Sequence, residues 1–160
     1  MPPTAAVRVS YLTGEQADCL GRGLDTSWLE AASEDFGAFV ADRRRVVLRW
    51  GVPSSIFWYV SGEHYLGTLV LRHELSTDLL VAGGNIGYHV VLPWTRQGHA
   101  TRMLTAGLAE ARRIGLRRVL LTCRPDNEAS RKVIVANGGR EDEALADELR
   151  YWIDLGAGLS

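Results

Sequence analysis

This chain is poor in cysteine, in net charge and in long apolar runs. Its 160 residues include only Cys19 and Cys123, which are not spaced as metal ligands and form no dense disulfide framework. The net charge of -1 argues against a general nucleic-acid or membrane-surface binder, because such proteins are usually distinctly basic. No apolar run approaches the length of a membrane span, and no signal-peptide pattern is visible. We therefore expect a cytoplasmic protein with no metal, nucleic-acid partner or membrane partner.

The composition is typical of one globular domain. Hydrophobic residues make up 46% of the chain and charged residues 23%, which is enough apolar material for a proper core. No internal repeat or low-complexity segment interrupts it. We expect a single domain over residues 1–160.

Hydrophobic periodicity in the first half predicts strands and helices in a mixed order. Weak alternation predicts a strand over residues 7–12, followed by a helix that runs towards Gly23 and a second helix that begins at Asp25. From residue 46 the spacing of apolar residues changes from that of a helix to that of short strands separated by turns. This predicts an antiparallel meander over residues 46–50, 56–60 and 64–72. A short helix at residues 77–81 and a strand over residues 85–92 follow.

The second half alternates between strands and helices. An amphipathic helix follows Gly98 and ends at Gly115, and the apolar run over residues 119–123 predicts a strand buried on both faces, parallel to the strand before the helix. A further helix begins at Asp126 or Asn127 and ends near residue 136. Two short strands near residues 139–143 and 149–155 complete the predicted sheet.

The junction around Gly98 is the most informative local feature, since a strand there turns directly into a helix. The first backbone N–H groups of a helix have no intrahelical acceptor and carry partial positive charge, so they suit a pyrophosphate. Gly98 lacks a Cβ and lets the backbone approach the phosphate closely. Arg96 and Arg102 add charge at the rim.

Two motifs resemble the GNAT superfamily of N-acetyltransferases, and in particular a bacterial group of predicted acetyltransferases. Residues 95–100 read Thr-Arg-Gln-Gly-His-Ala and are similar to the acetyl-CoA signature Gln/Arg-x-x-Gly-x-Gly/Ala, although Thr95 departs from it. Residues 127–139 begin Asn-Glu-Ala-Ser and end Asn-Gly-Gly, which is similar to the family's Asn-x-x-Ala/Ser helix. The order of predicted elements matches this fold over essentially the whole chain.

The resemblance implies an α/β fold with a central mixed sheet flanked by helices, in which two parallel strands splay and acetyl-CoA lies between them. It places acceptor-side helices at about residues 13–42 and the cofactor-binding core at about residues 85–138, with a bend or bulge near residues 90–92. A backbone N–H of Val90 or Val91 would stabilise the oxyanion. The implied cofactor-binding residues are Val90, Val91, Leu92, Arg96, Gln97, Gly98, His99, Ala100, Thr101, Asn127 and Ser130.

The sequence motifs identify the catalytic acid and base less clearly than the cofactor-binding residues. Many relatives carry a Tyr acid seven positions after Asn127, but Ile134 stands there, and Tyr88 is a substitute by residue type alone. His89 is a candidate base because an imidazole titrates near neutrality. Further candidates near the cleft are His73, Glu74, Asp78 and, for orienting substrate or water, Asn85. Trp28 and His73 are expected to contact the acceptor.

The leading hypothesis is an N-acetyltransferase that moves acetyl from acetyl-CoA to a primary amine of a small molecule or a peptide, with a homodimer as a possible assembly. A non-catalytic acyl-CoA-binding sensor is the alternative, and Ile134 is the residue that motivates it. A dinucleotide-binding enzyme is disfavoured, because the chain has no Gly-x-Gly-x-x-Gly fingerprint.

Overall fold

A computed structural model of the chain describes residues 1–156, which form six α-helices and seven β-strands. The helices are α1 (Arg8–Arg22), α2 (Ser27–Glu34), α3 (Phe36–Arg44), α4 (Thr77–Val81), α5 (His99–Arg113) and α6 (Glu128–Ala136). The strands are β1 (Val47–Arg49), β2 (Val52–Ser61), β3 (His64–Arg72), β4 (Ile86–Val90), β5 (Arg118–Cys123), β6 (Arg140–Leu145) and β7 (Glu148–Asp154). Within residues 1–156, none of the helices has both the length and the apolar character needed to cross a bilayer.

The strands form two antiparallel sheets, in the orders β1-β2-β3-β4 and β5-β7-β6. The two sheets meet where the backbone N–H of Asn85 donates to the carbonyl of Leu120 over 2.8 Å. Among the described residues β4 and β5 form no further ladder, so the strands separate beyond this junction. The α/β class predicted from the sequence is therefore confirmed.

The side chain of Asn85 completes the junction. Its Oδ1 accepts the N–H of Leu120 over 2.9 Å, and its Nδ2 donates to the carbonyl of Arg72 over 3.0 Å. The side chain is buried, with 3% of Asn85 exposed. Our prediction that Asn85 enters the cleft is wrong, because Oδ1 bonds across to β5 and Nδ2 bonds to β3 within its own sheet.

Two apolar clusters pack against the sheets. In the first, α5 contributes Met103, Leu104 and Leu108 against the buried residues of β5 and β7. In the second, the aromatic side chains of α1 and α3 lie on β2 and β3, and Tyr11 stacks on Trp58 with ring centroids 4.2 Å apart. Burial on both faces explains why β5 reads as a continuous apolar run.

The predicted strand over residues 7–12 is wrong, because this segment is the first half of α1. Val7, Tyr11 and Asp18 are all buried, and their spacing places them on one face of a helix. Residues 7–12 alone are too few to distinguish the alternation of a strand from the spacing of one helix face. The second predicted helix is also interrupted: Asp35 leaves the helical conformation, and its side chain accepts the N–H of Ala38 to begin α3.

Replacement of Asn85 by Ala should destabilise the fold strongly. The change leaves the Leu120 N–H and the Arg72 carbonyl buried without these partners, at about 1–3 kcal/mol for each group. We expect the free energy of unfolding in urea to fall by about 3 kcal/mol. Gln16→Ala, at an exposed amide on α1, is the control and should change it by less than about 0.5 kcal/mol; an equal loss in both variants would contradict the role of Asn85.

Candidate functional site

A cleft of about 440 Å³ opens where the two sheets separate. Such a volume suits a small-molecule ligand. Its walls come from the end of β4, from the turn and first residues of α5, and from the first turns of α6. The lining residues include Tyr88, His89, Val90, Leu92, Arg96, Gly98, His99, Ala100, Thr101, Asn127 and Ser130.

The start of α5 forms the positive end of this cleft. Gly98 is the N-cap residue, with a φ of 79° that a glycine adopts without strain. A Cβ there would lie 3.1 Å from Nη1 of Arg102, so a side chain would crowd that guanidinium. The first N–H groups of α5 and the side chain of Arg96 border the cleft. This arrangement favours an anion.

A hydrogen bond crosses the cleft between β4 and α6. The hydroxyls of Tyr88 and Ser130 lie 2.9 Å apart, and Asn127 caps α6 by accepting the N–H of Ser130 over 3.1 Å. Burial raises the pKa of Tyr88 above its ordinary value, although the bond to Ser130 opposes the shift. The phenol therefore keeps its proton at neutral pH.

The backbone of β4 presents polar groups to the cleft at every second residue. The N–H of Val91 donates to Leu66 over 2.9 Å, and the N–H of Arg72 donates to Asn85 over 2.6 Å. Since hydrogen-bonded and non-bonded pairs alternate along antiparallel strands, the N–H and C=O of Val90 point away from β3. Val90 is thus available as an oxyanion donor, and Val91 is not.

A second cavity, of about 500 Å³, lies between α1, α2 and the sheet, which contributes Thr68 of β3 and His89 of β4. Trp28 lines it. His89 and Arg22 line both this cavity and the cleft. The imidazole of His89 is therefore placed between the two spaces.

His89 is paired with an acid from α1. Its Nε2 lies 2.9 Å from Oε1 of Glu15, which is buried, while 41% of the His89 side chain is exposed. Burial disfavours the imidazolium, but the hydrogen bond and charge of Glu15, with the charge of Asp18, outweigh it and raise the pKa of His89. Asp18 itself accepts the N–H of Leu92 and the Nε of Arg22, over 2.9 and 2.8 Å.

Some residues expected at the site lie elsewhere. Val91 is fully buried in the aromatic cluster, and Gln97 is absent from the residues that line the cleft within the described chain, although its carbonyl accepts Arg102. His73 bonds to Ser55 over 2.7 Å at the far end of β3, and it does not line the second cavity. Neither Glu74 nor Asp78 lines either space among residues 1–156.

The expected bulge near residues 90–92 is not seen in the described chain. The register between β3 and β4 is regular, from Gly67 opposite Val90 to Leu71 opposite Ile86. The chain instead leaves the strand through a 3₁₀ turn at Leu92–Trp94. Pro93 suits this turn, because a proline at the start of a helical turn needs no N–H. Ile134, at the position of the usual acid, is fully buried.

The sequence analysis missed Glu15, Asp18 and Arg22. They lie at helical spacing on one face of α1, and Glu15 and Asp18 are buried. The sequence did contain an indication of this. Glu15 and Asp18 share a helix face with apolar core residues, and burial of a carboxylate costs free energy unless it is paired. The predicted helix began only after residue 12, so the buried side chains of Val7 and Tyr11, which mark this face, lay outside it.

The geometry agrees with comparisons to known proteins. Residues 26–140 match the sequence profile of a family described as an acetyltransferase (GNAT) domain. No curated protein sequence matches the chain significantly.

Solved structures share the fold at low sequence identity. Mycobacterium smegmatis RimJ in complex with a CoA disulfide is 22% identical over 95% of this chain and 79% of its own, with a TM-score of 0.66. RimL, a ribosomal L7/L12 alpha-N-protein acetyltransferase in complex with coenzyme A, is 17% identical over 95% and 91%, with a TM-score of 0.65. The microcin C7 self-immunity acetyltransferase MccE, in complex with acetyl-CoA and AMP, is 14% identical over 96% and 90%, with a TM-score of 0.57.

Proposed function

Because this chain belongs to the GNAT acetyltransferase family, we propose that it transfers acetyl from acetyl-CoA to a primary amine by direct attack. The observation that carries the proposal is the position of His89. This residue lines both the anion-favouring cleft and the acceptor cavity, so a base stands where two substrates would meet.

Acetyl-CoA fits the cleft in charge and shape. The start of α5, with Gly98 and Arg96, offers backbone N–H groups and a guanidinium to the pyrophosphate. The outward edge of β4 at Tyr88 and Val90 offers hydrogen bonds to an extended amide chain, as an added strand would receive, and the carbonyl of Val90 already accepts Nη2 of Arg22 over 3.3 Å. Asn127 and Ser130 border that chain from α6.

When bound, acetyl-CoA supplies an acetyl thioester, whose carbon–sulfur bond is replaced by a carbon–nitrogen bond while the sulfur keeps the electron pair. His89 removes one proton from the acceptor ammonium and passes it to solvent. The N–H of Val90 stabilises the developing oxyanion. Tyr88, supported by Ser130, gives a proton to the departing thiolate and recovers one from the attacking nitrogen through solvent.

The acceptor class is a primary amine that enters the cavity beside Trp28. The wall of this cavity also carries Asp25, an exposed carboxylate that can attract a cation, and the side chains of Arg22 and Arg43. The structural relatives include an acetyltransferase of a protein N-terminus and a self-immunity enzyme. An acceptor screen therefore includes peptide N-termini as well as small amines.

Release of thiol from acetyl-CoA in the presence of this panel tests the proposal. Amine-dependent release and an acetylated product of matching mass support it. The second candidate, a non-catalytic acyl-CoA sensor, is favoured by the apolar Ile134 at the usual acid position. Tight cofactor binding with no amine-dependent turnover across the panel would select the sensor.

Gly98→Asp should weaken acetyl-CoA binding by roughly tenfold or more, because about 1.4 kcal/mol of lost attraction equals a factor of ten. The carboxylate adds bulk and negative charge where the pyrophosphate is expected. Calorimetric titration of the folded variant measures the dissociation constant. Gly98→Ala is the matched control: it costs about 1 kcal/mol of stability at a positive φ but adds no charge. Equal affinities for Gly98→Asp and the parent protein would refute pyrophosphate binding at the start of α5.

His89→Gln should lower kcat/KM by about 10²- to 10⁴-fold, the usual contribution of a general base. In the parent protein kcat/KM should rise with pH through the pKa of His89, because only the neutral imidazole accepts a proton. This rise should disappear in the variant, while the dissociation constant of acetyl-CoA stays similar. His64→Gln, at an exposed histidine, is the control. A parent-like pH profile in His89→Gln would exclude His89 as the base.

A further inference from the structure

Four side chains form a continuous hydrogen-bonded chain from β3 to His89. The hydroxyl of Tyr65 donates to Oε1 of Glu15 over 2.7 Å, and Nε2 of His89 lies 2.9 Å from the same oxygen. The hydroxyls of Thr68 and Tyr65 are also bonded. Because the proton of Tyr65 is directed to Glu15, Thr68 must be the donor in that pair. Donation therefore runs from Thr68 through Tyr65 to Glu15, and the same carboxylate oxygen meets His89 from the other side.

This order determines which nitrogen of His89 carries the proton. An ionised carboxylate only accepts hydrogen bonds, so Nε2 must donate to Glu15. In the neutral imidazole the lone pair is then on Nδ1. Nδ1 forms no hydrogen bond within residues 1–156, and the ring lines both the cleft and the acceptor cavity.

Glu15 is itself shielded from the acceptor. Only 5% of its side chain is exposed, and Oε1 already receives two hydrogen bonds. A carboxylate removed from water in this way is held by its partners rather than by solvent. Its effect on an incoming amine is therefore transmitted through the imidazole.

The charges around His89 favour an imidazolium once a proton arrives. From α1, Glu15 and Asp18 face the ring with negative charge, and Arg22 faces it with positive charge. From β3, Tyr65 and Thr68 are neutral hydroxyls. The acceptor cavity also carries Asp25 and Arg43 on its wall, and Tyr88 and Arg96 border the cleft.

We infer that Glu15 is a positioning residue for the acetyl transfer, which holds His89 with its proton on Nε2 and leaves Nδ1 to accept the proton of the acceptor ammonium. This inference rests on the proposed function. One proton moves from the ammonium nitrogen to Nδ1, and the resulting imidazolium remains bonded to Glu15. Deprotonation of Nδ1 by solvent restores the base.

The tautomer can be measured without turnover. Long-range ¹H–¹⁵N spectra of the parent protein, with the signals of His89 assigned from their loss in His89→Gln, report which nitrogen is protonated. We expect Nε2–H in the neutral ring. In Glu15→Gln we expect the pKa of His89 to fall by about one unit, because an opposite charge is removed. A neutral ring with its proton on Nδ1 would overturn the inference, whether or not any amine is acetylated.

The pH profile of kcat/KM is a second readout, and it would not move if Glu15 served only to pack the fold. In Glu15→Gln we expect kcat/KM at its pH optimum to fall at least about tenfold and the acidic limb of the profile to move to lower pH. Glu34→Gln, at an exposed acid on α2, is the matched control and should leave both unchanged. An unmoved acidic limb in folded Glu15→Gln would contradict the inference.

Two further outcomes separate the hypotheses. If Glu15→Gln does not fold, Tyr65→Phe removes one hydrogen bond to Glu15 and leaves the carboxylate beside the imidazole, so the neutral ring should keep its proton on Nε2.

Loss of the acidic limb in Glu15→Gln with its retention in His89→Gln would make Glu15 the base and overturn the inference. Absence of thiol release with every amine would refute the proposed function alone, since the tautomer is measured independently.

Discussion

The two sheets of this protein are held together at Asn85 and Leu120, where backbone and side-chain hydrogen bonds coincide. A continuous ladder at that place would pair β4 with β5 along their length and close the space between them. Because the pairing stops, β4 keeps an unpaired edge at Tyr88 and Val90, and the cleft opens beside it. Asn85, just before β4, adds a buried side-chain hydrogen bond to the backbone bond that it shares with Leu120.

The separation of the strands also explains why α1 matters to the site. This helix packs across the end of β4 and brings Glu15, Asp18 and Arg22 to one place. Burial of two acids costs free energy unless partners satisfy them, and here Tyr65, His89, Leu92 and Arg22 do so. The same bonds hold the loop after β4 at Leu92 and orient the imidazole of His89.

Much of the architecture could be predicted from local patterns. The meander, the short helix at Thr77–Val81 and the helices after Gly98 and Asn127 have clear periods and strong turn residues. The prediction failed at residues 7–12, since a six-residue window fits both a strand and one face of a helix. It also failed for Asn85 and His73. A polar residue that faces a cleft and a polar residue that bonds to nearby groups of the fold look the same in the sequence.

The sequence by itself determined the α/β order and the glycine-led helix start that favours an anion, because both depend on backbone properties of neighbouring residues. It also determined that Ile134 cannot supply a proton. Only the tertiary structure decided that His89 lies between the cleft and the second cavity and that Glu15, far away in the chain, is its partner. Contacts of this kind depend on how helices and sheets pack. Local sequence patterns do not show how close α1 and β4 are in the folded protein.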